Sequence, residues 1–391
     1  MRKLMWILLL LASFTFVFEP ILAVELITLP SPTGEYGVGT CQWPLVDTSR
    51  TEVILKNSPT KYRELMLQLW YPIAKETVGI PTEYMDRISA TFIANEITDL
   101  NPDFRLLIKT NSIPEAPFAN NESNYPVLIF SPGYKATYLL YQSFFEDLAS
   151  HGYIVVAINH PYISGITVFP DNHYYPPYTP KNEDKFIEDN FQTVITDIKF
   201  VIDQLKLINL DKKHDFYGKF DLTRIGCFGH SLGGAASVQA CINYPEIKAA
   251  IDIDGSMYGK EYSKPHSKPI MLINNEFTGS IDFTTKNLWK NTREGYRVQI
   301  LNARHYDYTD MGMIIRHLYP QELPRSFFGT GKLALQLFGF GKINPKLVVE
   351  ITRTCVLNFF DIYIKDKTNQ KLLDIPTSYP QQTKLIKKPK A

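Results

Sequence analysis

Short apolar runs alternate with longer amphipathic runs from residue 52 onward. Three of the short runs are almost continuously apolar, as strands buried on both faces must be: PVLIF at 126–130, YIVVAI at 153–158 and RIGCF at 224–228. Similar runs at 249–253, 269–273 and 297–301 extend the series. Because helical stretches separate these runs, the pattern predicts an α/β fold, with a mostly parallel central sheet covered by helices on both faces.

Residues 64–72 (ELMLQLWYP) alternate in a different way. Leu65, Leu67 and Leu69 fall on one face and Glu64 and Gln68 on the other, which predicts a half-buried edge strand. Helices are predicted over 138–150, 186–207, 232–243 and 346–364. In the second of these, apolar residues recur at steps of three and four and form one buried stripe: Phe191, Val194, Ile195, Ile198, Val201, Ile202 and Leu205.

Two segments interrupt the alternation of strands and helices. Residues 161–180 are dense in proline and aromatic residues, and residues 327–340, within a longer segment at 311–345, combine glycine with large apolar side chains. We predict that 161–180 and 311–345 form lid or pocket loops over a site in a single domain of residues 24–391. The aromatic residues of the first loop either line an acyl or headgroup pocket or stiffen a surface loop: Phe169, Tyr174, Tyr175 and Tyr178.

The N-terminus has the layout of a secretory signal peptide. Arg2 and Lys3 precede an apolar run at 4–11, and the small residue Ala23 offers a cleavage point, so that the mature chain would begin near Val24. Ile21 departs from the pattern, because a small residue is preferred three positions before the cut. No later segment has the roughly 18 consecutive apolar residues of a membrane span. We therefore predict a secreted or periplasmic protein.

Composition excludes several classes of protein. In 391 residues, 45% are hydrophobic and 21% charged, which excludes a disordered chain and a multi-span membrane protein. Lysine and arginine number 41 against 40 acidic residues, so no basic field attracts nucleic acid, and we expect none to bind. The chain is rich in aromatic residues, with 23 tyrosines and 24 phenylalanines, which suggests apolar contact surfaces edged by hydroxyl groups.

Four cysteines remain in a chain predicted to be exported: Cys41, Cys227, Cys241 and Cys355. Disulfides are therefore allowed, but the spacing matches no zinc pattern and favours no pairing. Cys227 lies in an apolar strand and Cys355 in an apolar helix, so both are predicted to be small buried hydrophobes.

The sharpest chemical motif is GHSLGGA at 229–235, a G-x-S-x-G pattern. It directly follows the strand RIGCF and opens the helical run LGGAASVQACIN, which is the strand-turn-helix setting of a nucleophile elbow. Gly229 and Gly233 leave room for the tight turn and for close packing of the helix on the strand. This setting predicts that Ser231 is a catalytic nucleophile.

A serine nucleophile needs a histidine base, which a carboxylate in turn orients. Asp254 ends the strand AAIDID and is the favoured acid, while Asp252, deeper in the same strand, is the alternative. His305 follows the strand RVQIL by a short loop and is the favoured base. Of the other histidines after Asp254, His266 is predicted to lie in a surface turn and His317 in a helix.

An oxyanion must also be bound by two backbone N–H groups. We assign these to Leu232, just after the nucleophile, and to Tyr134, in the loop SPGY that follows the strand PVLIF. No histidine or carboxylate pair has metal-ligand spacing, and no glycine-rich phosphate loop or dinucleotide fingerprint is present, so neither a metal nor a cofactor is expected.

Several segments together resemble one family: VLIFSPGYKATYLLYQSFFEDLASHGYIVVAINHPY, KFDLTRIGCFGHSLGGAA, AAIDIDGSMYG, LINNEF and ARHYDYTDM. They are similar to the secreted α/β-hydrolases of the platelet-activating-factor acetylhydrolase type, over residues 50–365. The resemblance implies a triad of Ser231, Asp254 and His305 with oxyanion amides at Tyr134 and Leu232. It also implies carboxylic ester substrates, namely phospholipids with a short or oxidised acyl chain, and contact with a lipid interface. Pro132 stands where this family often has histidine.

Other functions use the same residues. A triacylglycerol lipase or a polyester hydrolase would carry the same triad, and a peptidase would require turnover of amides. An inactive hydrolase fold that serves as a surface binding module is the alternative outside the enzymes. The natural acyl chain, the headgroup and the oligomeric state do not follow from the sequence.

Overall fold

The computed structural model describes residues 26–55, 57–97, 100–120, 122–277, 282–327, 330–331, 339–368 and 371–388. The predicted signal peptide lies outside the described residues, and so do residues 328–329 and 332–338 of the second predicted lid segment. Among the helices that are described, none is both long and apolar enough to cross a bilayer.

The chain alternates strands with helices through most of its described length. The strands are β1 (Ile27–Thr28), β2 (Gly37–Thr51), β3 (Tyr62–Ile73), β4 (Ile108–Lys109), β5 (Ser112–Pro114), β6 (Tyr125–Ser131), β7 (Ile154–Asn159), β8 (Thr167–Val168), β9 (Tyr174–Tyr175), β10 (Phe220–His230), β11 (Ile247–Ile253), β12 (Ile270–Asn275), β13 (Gly295–Ile300), β14 (Ser326–Phe327), β15 (Thr330–Gly331) and β16 (Thr383–Lys388). The helices are α1 (Arg87–Glu96), α2 (Gln142–Ser150), α3 (Glu183–Leu210), α4 (Leu232–Asn243), α5 (Phe283–Asn291), α6 (Asp310–Leu318), α7 (Pro345–Tyr363) and α8 (Ile375–Ser378). Short 3₁₀ turns occupy Pro102–Leu107, Tyr138–Tyr141, Glu261–Ser263 and His305–Tyr308.

One large sheet organises the fold. Within the described residues its ten strands run in the order β16-β13-β12-β11-β10-β6-β7-β3-β2-β5. The six central strands, from β13 to β7, are parallel to one another, as the sequence predicts. Strands β3 and β16 pair antiparallel at the two ends of this parallel core, and β2 pairs antiparallel with β3.

Both faces of the sheet are buried. Alternate residues of β6 enter different apolar clusters: Leu128 and Phe130 pack on the side of α2 and α7, while Val127 and Ile129 pack on the side of α3 and α4. Strands buried on both faces need apolar residues at every position, which explains why these segments show no alternation in sequence.

Asparagine side chains begin the two longest helices. The side chain of Asn182 accepts the N–H of Lys185 at 3.0 Å before α3, and the side chain of Asn344 accepts the N–H of Lys346 at 3.0 Å before α7. Pro345 follows Asn344 at the first helical position, where its missing N–H removes no bond. These caps place the helix starts within a few residues of the predicted ones.

The prediction that residues 64–72 form an edge strand is wrong. Strand β3 lies between β2 and β7, and Gln68, expected on a solvent face, is buried and donates to Thr40 Oγ1 at 3.1 Å. Its partner β2 was not predicted, because Gly37, Gly39 and Pro44 interrupt its apolar pattern. A strand covered by an unrecognised neighbour looks like an edge in the sequence.

All four cysteines are buried and carry free thiols. Burial raises the pKa of Cys227, Cys241 and Cys355 to about 12, so these thiols stay protonated. The prediction that Cys227 and Cys355 are small buried hydrophobes is confirmed.

The predicted loop at 161–180 divides between packing and exposure. Phe169 and Tyr175 are buried in a small cluster with Met66 and Tyr162, and β8 pairs antiparallel with β9 within the loop. Tyr174 is about half exposed, at 51%. Two of the predicted pocket aromatics therefore hold the loop to the body of the protein.

Candidate active site

Ser231 occupies a sharp turn between β10 and α4. Its backbone has φ of 54° and ψ of −124°, which is unfavourable for a residue with a Cβ and typical of a strained nucleophile elbow. The glycines around it are required by close packing. A Cβ at Gly233 would lie 2.0 Å from the Ser131 carbonyl oxygen, and a Cβ at Gly229 would lie 2.4 Å from the Gly233 carbonyl carbon. Larger residues would push α4 away from the sheet.

Asp254 lies just past the end of β11, with its carboxylate held by the neighbouring strand. The backbone N–H of Asn275, at the end of β12, donates to Oδ1 at 3.1 Å, and the side-chain amide of Asn275 lies 3.0 Å from each carboxylate oxygen. The carboxylate is completely buried. These bonds fix the orientation of the carboxylate independently of His305.

His305 begins the short turn after β13 and contacts Asp254. Its Nδ1 lies 2.7 Å from Asp254 Oδ2, while about a third of its side chain, 34%, is exposed. An ionised carboxylate can only accept a hydrogen bond, so Nδ1 carries the proton and Nε2 keeps a lone pair. His305 Nε2 is therefore the ring nitrogen that can accept a proton.

Ser231 is connected to these two residues through their neighbours in the chain. Its backbone N–H donates to the carbonyl of Ile253 at 2.8 Å, one residue before Asp254. The preceding residue, His230, lies 3.1 Å through Nε2 from the carbonyl oxygen of His305, and the two imidazole rings are 4.3 Å apart. These contacts bring the elbow, Asp254 and the loop of His305 together at the carboxyl edge of the sheet, and within the described residues no hydrogen bond joins the Ser231 hydroxyl to His305.

The alternative acid and base lie elsewhere. Asp252 Oδ1 accepts the backbone N–H of Gly255 at 3.1 Å, and burial, with Asp254 and Asp282 nearby, raises the pKa of Asp252 well above its usual range. His266 is buried, with Nε2 3.2 Å from Thr292 Oγ1, so its predicted place in a surface turn is wrong. Its backbone pairs with Thr292, which the sequence around it does not reveal. His317 lies in α6, as predicted.

The loop after β6 runs alongside the elbow. A Cβ on Gly133 would come 3.1 Å from the Cβ of Ser231, so the backbone of this loop touches the serine. Lys135, which follows Tyr134, donates its N–H to the Ile163 carbonyl at 2.9 Å, and this bond anchors the loop to the 161–180 segment. Leu232 is the first residue of α4, where the N–H has no intrahelical acceptor.

A buried ionic network supports the base of this loop. His160 bonds Asp197 through Nδ1 at 2.9 Å and Ser131 Oγ through Nε2 at 3.1 Å. Arg63 and Arg50 each lie 2.8 Å from an oxygen of the same Asp197. Positive charge around Asp197 holds the pKa of its carboxyl well below the usual range. Ser131, where β6 ends, is thereby tied to β3 and α3.

A family model described as "Platelet-activating factor acetylhydrolase, isoform II" matches residues 22–185 and 192–374 of the chain. The chain belongs to this family. It is therefore a serine ester hydrolase, of a family named for a lipid substrate.

Relatives agree with this assignment, and a solved structure shares the fold. The platelet-activating factor acetylhydrolase of Cavia porcellus is 23% identical over 374 residues, covering 86% of this chain and 78% of that protein. A protein of Arthroderma benhamiae named "Probable 1-alkyl-2-acetylglycerophosphocholine esterase" is 23% identical over 381 residues, covering 90% and 92%. A ferulic acid esterase structure from Streptomyces cinnamoneus superposes with a TM-score of 0.75 at 22% identity, over 92% of this chain and 99% of that one. The architecture is the α/β-hydrolase fold.

Three residues that shape the site of this acetylhydrolase-family chain were not found from its sequence: Asn275, His160 and Asp197. Asn275 and His160 lie at or just past the carboxyl ends of parallel strands, where ligand-binding and catalytic residues of open α/β sheets collect. Their position at a strand end could therefore have indicated Asn275 and His160 as site residues from the sequence. Asp197 lies mid-helix in α3, and only the fold brings it to His160.

Proposed function

We propose that the chain hydrolyses the sn-2 ester of phospholipids that carry a short or oxidised acyl chain, through Ser231, His305 and Asp254. One observation carries the proposal: the 2.7 Å contact of His305 with a buried, immobilised Asp254, beside a strained serine elbow. The family assignment supports the ester, and the names of the relatives support a glycerophospholipid with an acetyl group.

The first half of the reaction forms an acyl-enzyme. His305 Nε2 accepts the proton of the Ser231 hydroxyl as Oγ attacks the ester carbonyl carbon. The backbone N–H groups of Tyr134 and Leu232 bind the oxyanion that develops on the carbonyl oxygen. The imidazolium then donates its proton to the departing lysophospholipid oxygen, and the bond between that oxygen and the acyl carbon breaks.

The second half regenerates the enzyme. Water enters the site of the departed alcohol, His305 Nε2 removes one of its protons, and the hydroxide attacks the acyl carbon. The same two amides bind the second oxyanion, and its collapse returns the proton to Ser231 and releases the free acid. Asp254 orients His305 and stabilises the imidazolium that forms twice in each cycle.

An apolar hollow near the oxyanion loop suits a lipid chain. Its volume is 430 Å³, and it lies between α1 and the 161–180 loop, with this lining: Arg87, Ile88, Thr91, Phe92, Asn95, Ile166, Tyr174 and Pro176. The neighbour of Ile166 in sequence, Gly165, donates its N–H to the Ala136 carbonyl at 2.7 Å, so the hollow adjoins the loop of Tyr134. We assign it to the long sn-1 chain of the substrate and to contact with a lipid interface.

The test is a profile of acyl chain lengths measured on the purified protein. We expect kcat/KM to be highest for sn-2 acetyl and short oxidised chains and to fall as the sn-2 chain lengthens. Ser231→Ala should abolish turnover, while Ser263→Ala, at an exposed serine whose hydroxyl donates to the carbonyl of Lys260, should leave it unchanged. A preference for long acyl chains with activation at an oil interface would instead identify a triacylglycerol lipase.

Export is part of the same proposal, since residues 1–23 have a signal-peptide pattern. N-terminal sequencing of the chain recovered outside the cell checks it. The expected first residue is Val24, and an intact Met1 would contradict cleavage.

A further inference from the structure

A buried chain of hydrogen bonds lies between the oxyanion loop, the nucleophile elbow and the loop of His305. The Tyr141 hydroxyl lies 2.9 Å from His230 Nδ1, and His230 Nε2 lies 3.1 Å from the carbonyl oxygen of His305. A Cβ on Gly133, in the oxyanion loop, would lie 3.5 Å from His230 Nδ1, so the backbone of this loop packs against the same imidazole. His230 itself precedes Ser231. The chain therefore joins the oxyanion loop, the elbow and the loop of the base.

The chemistry of the partners fixes every proton in this chain. A carbonyl oxygen can only accept, so His230 Nε2 carries a hydrogen and donates it to His305. For a neutral ring, Nδ1 then has a lone pair, which accepts the hydroxyl hydrogen of Tyr141. Burial holds the pKa of His230 well below its usual value, and the neighbouring His305 lowers it further. Burial also raises the pKa of Tyr141, so the hydroxyl stays protonated.

We propose that Tyr141 and His230 are positioning residues that hold the loop of His305 at a fixed place relative to Ser231 and the oxyanion loop. This inference rests on the proposed function of Ser231 and His305. The imidazole of His230 also lies against that of His305, with ring centres 4.3 Å apart. A neutral His230 does not repel the positive charge of a protonated His305, whereas a protonated His230 would repel it. In the part of the chain that the structure describes, the other titratable groups that face His230 are Tyr141 and Tyr308.

The first experiment removes only the hydroxyl of Tyr141. Tyr141→Phe keeps the ring, which packs 4.8 Å from Phe130, but leaves His230 Nδ1 without its donor. Because small misplacements of catalytic groups are costly, we expect kcat to fall about tenfold with KM little changed. Tyr138→Phe is the matched control, since Tyr138 is a buried tyrosine of the same short 3₁₀ turn whose ring lies next to Trp70. It should keep the wild-type kcat.

A second measurement does not depend on activity. Nitrogen-15 NMR of histidine-labelled wild-type protein reports which ring nitrogen of His230 carries the hydrogen, and the signal missing from His230→Gln assigns it. We expect a neutral ring with hydrogen on Nε2, and in Tyr141→Phe a shifted Nδ1 resonance.

The outcomes separate the two proposals. A wild-type protein without esterase activity refutes the proposed function, while the NMR result still tests the hydrogen-bond chain. A His230 that is charged at neutral pH, or that carries hydrogen on Nδ1 alone, overturns the positioning role. So does a Tyr141→Phe variant whose kcat matches that of Tyr138→Phe.

Discussion

Two aspartates of the segment IDID show how surroundings assign roles to identical side chains. Asp254 lies at the strand end, receives the N–H groups of Asn275 and contacts His305. Asp252 lies two residues earlier, inside the sheet, where one N–H from Gly255 is its hydrogen-bond donor among the described residues. Burial, with Asp254 and Asp282 nearby, raises the pKa of Asp252 and favours its protonated form.

This contrast predicts that replacing each aspartate with asparagine will have very different effects on kcat. Asp254→Asn places an amide against Nδ1 of His305 and favours the wrong imidazole tautomer, so kcat should fall by about 10⁴-fold. Asp252→Asn replaces a neutral acid with a neutral amide of the same shape and should leave kcat near the wild-type value. Steady-state kinetics of the two purified variants on a short-chain ester decide the matter. Equal losses in both variants would contradict the assignment of Asp254.

The sequence made Ser231, Asp254 and His305 the favoured candidates, because each follows a recognisable strand. Tyr141 and His230 could not be assigned roles in this way. His230 was visible in the GHSLGG motif, but its bond to the carbonyl of His305 depends on how the loop after β13 folds back over the elbow. Contacts between loops have no period in the sequence and no fixed spacing.

Secondary-structure elements buried on both sides were the easiest to predict. Helix α4 has the predicted bounds, 232–243, β6 and β10 contain their continuous apolar runs, and β7 begins one residue after the start of its run. The hairpin of β2 and β3 was harder, since the outer half of β2 is largely exposed and contains Pro44. Helices α1 and α5 were not predicted. Each is short, with four and two buried residues respectively, and gives a weak periodic signal.

Helix α6 starts with a buried carboxyl that should make the stability of the fold depend on pH. Asp310 bonds the hydroxyl and N–H of Ser143 and the hydroxyl of Tyr84, and burial raises its pKa to about 7. A raised pKa means that the folded state prefers the protonated acid. The stabilisation that Asp310 adds to the free energy of unfolding is therefore complete below the unfolded-state pKa of about 4. It is lost as the pH rises through about 7.

Asp310→Asn removes this titration. Relative to the wild type, the free energy of unfolding of the variant should increase by about 2 to 3 kcal/mol between pH 5 and pH 8. Urea denaturation of both proteins at the two pH values measures this difference. A difference that does not change with pH would show that Asp310 is ionised in the fold throughout this range.

At the scale of the whole molecule, the sheet determines where chemistry can occur. The parallel strands β6, β10, β11, β12 and β13 all end at one edge, and the oxyanion loop, the elbow, Asp254, Asn275 and the loop of His305 follow those ends. Ligands of open α/β sheets bind outside this edge. Helices on both faces bury the rest of the sheet. The candidate catalytic residues therefore lie at the edge of the sheet, while the apolar packing that stabilises the fold lies on its two faces.

Fluorophosphonate labelling followed by peptide mass spectrometry tests most directly that Ser231 is the activated nucleophile. The phosphonyl group should be found on the peptide that contains Ser231, and its attachment should stop the hydrolysis of short-chain esters. His305→Ala should slow labelling strongly, because the serine would lose its base. Labelling of a different residue, or full ester turnover by Ser231→Ala, would contradict the account.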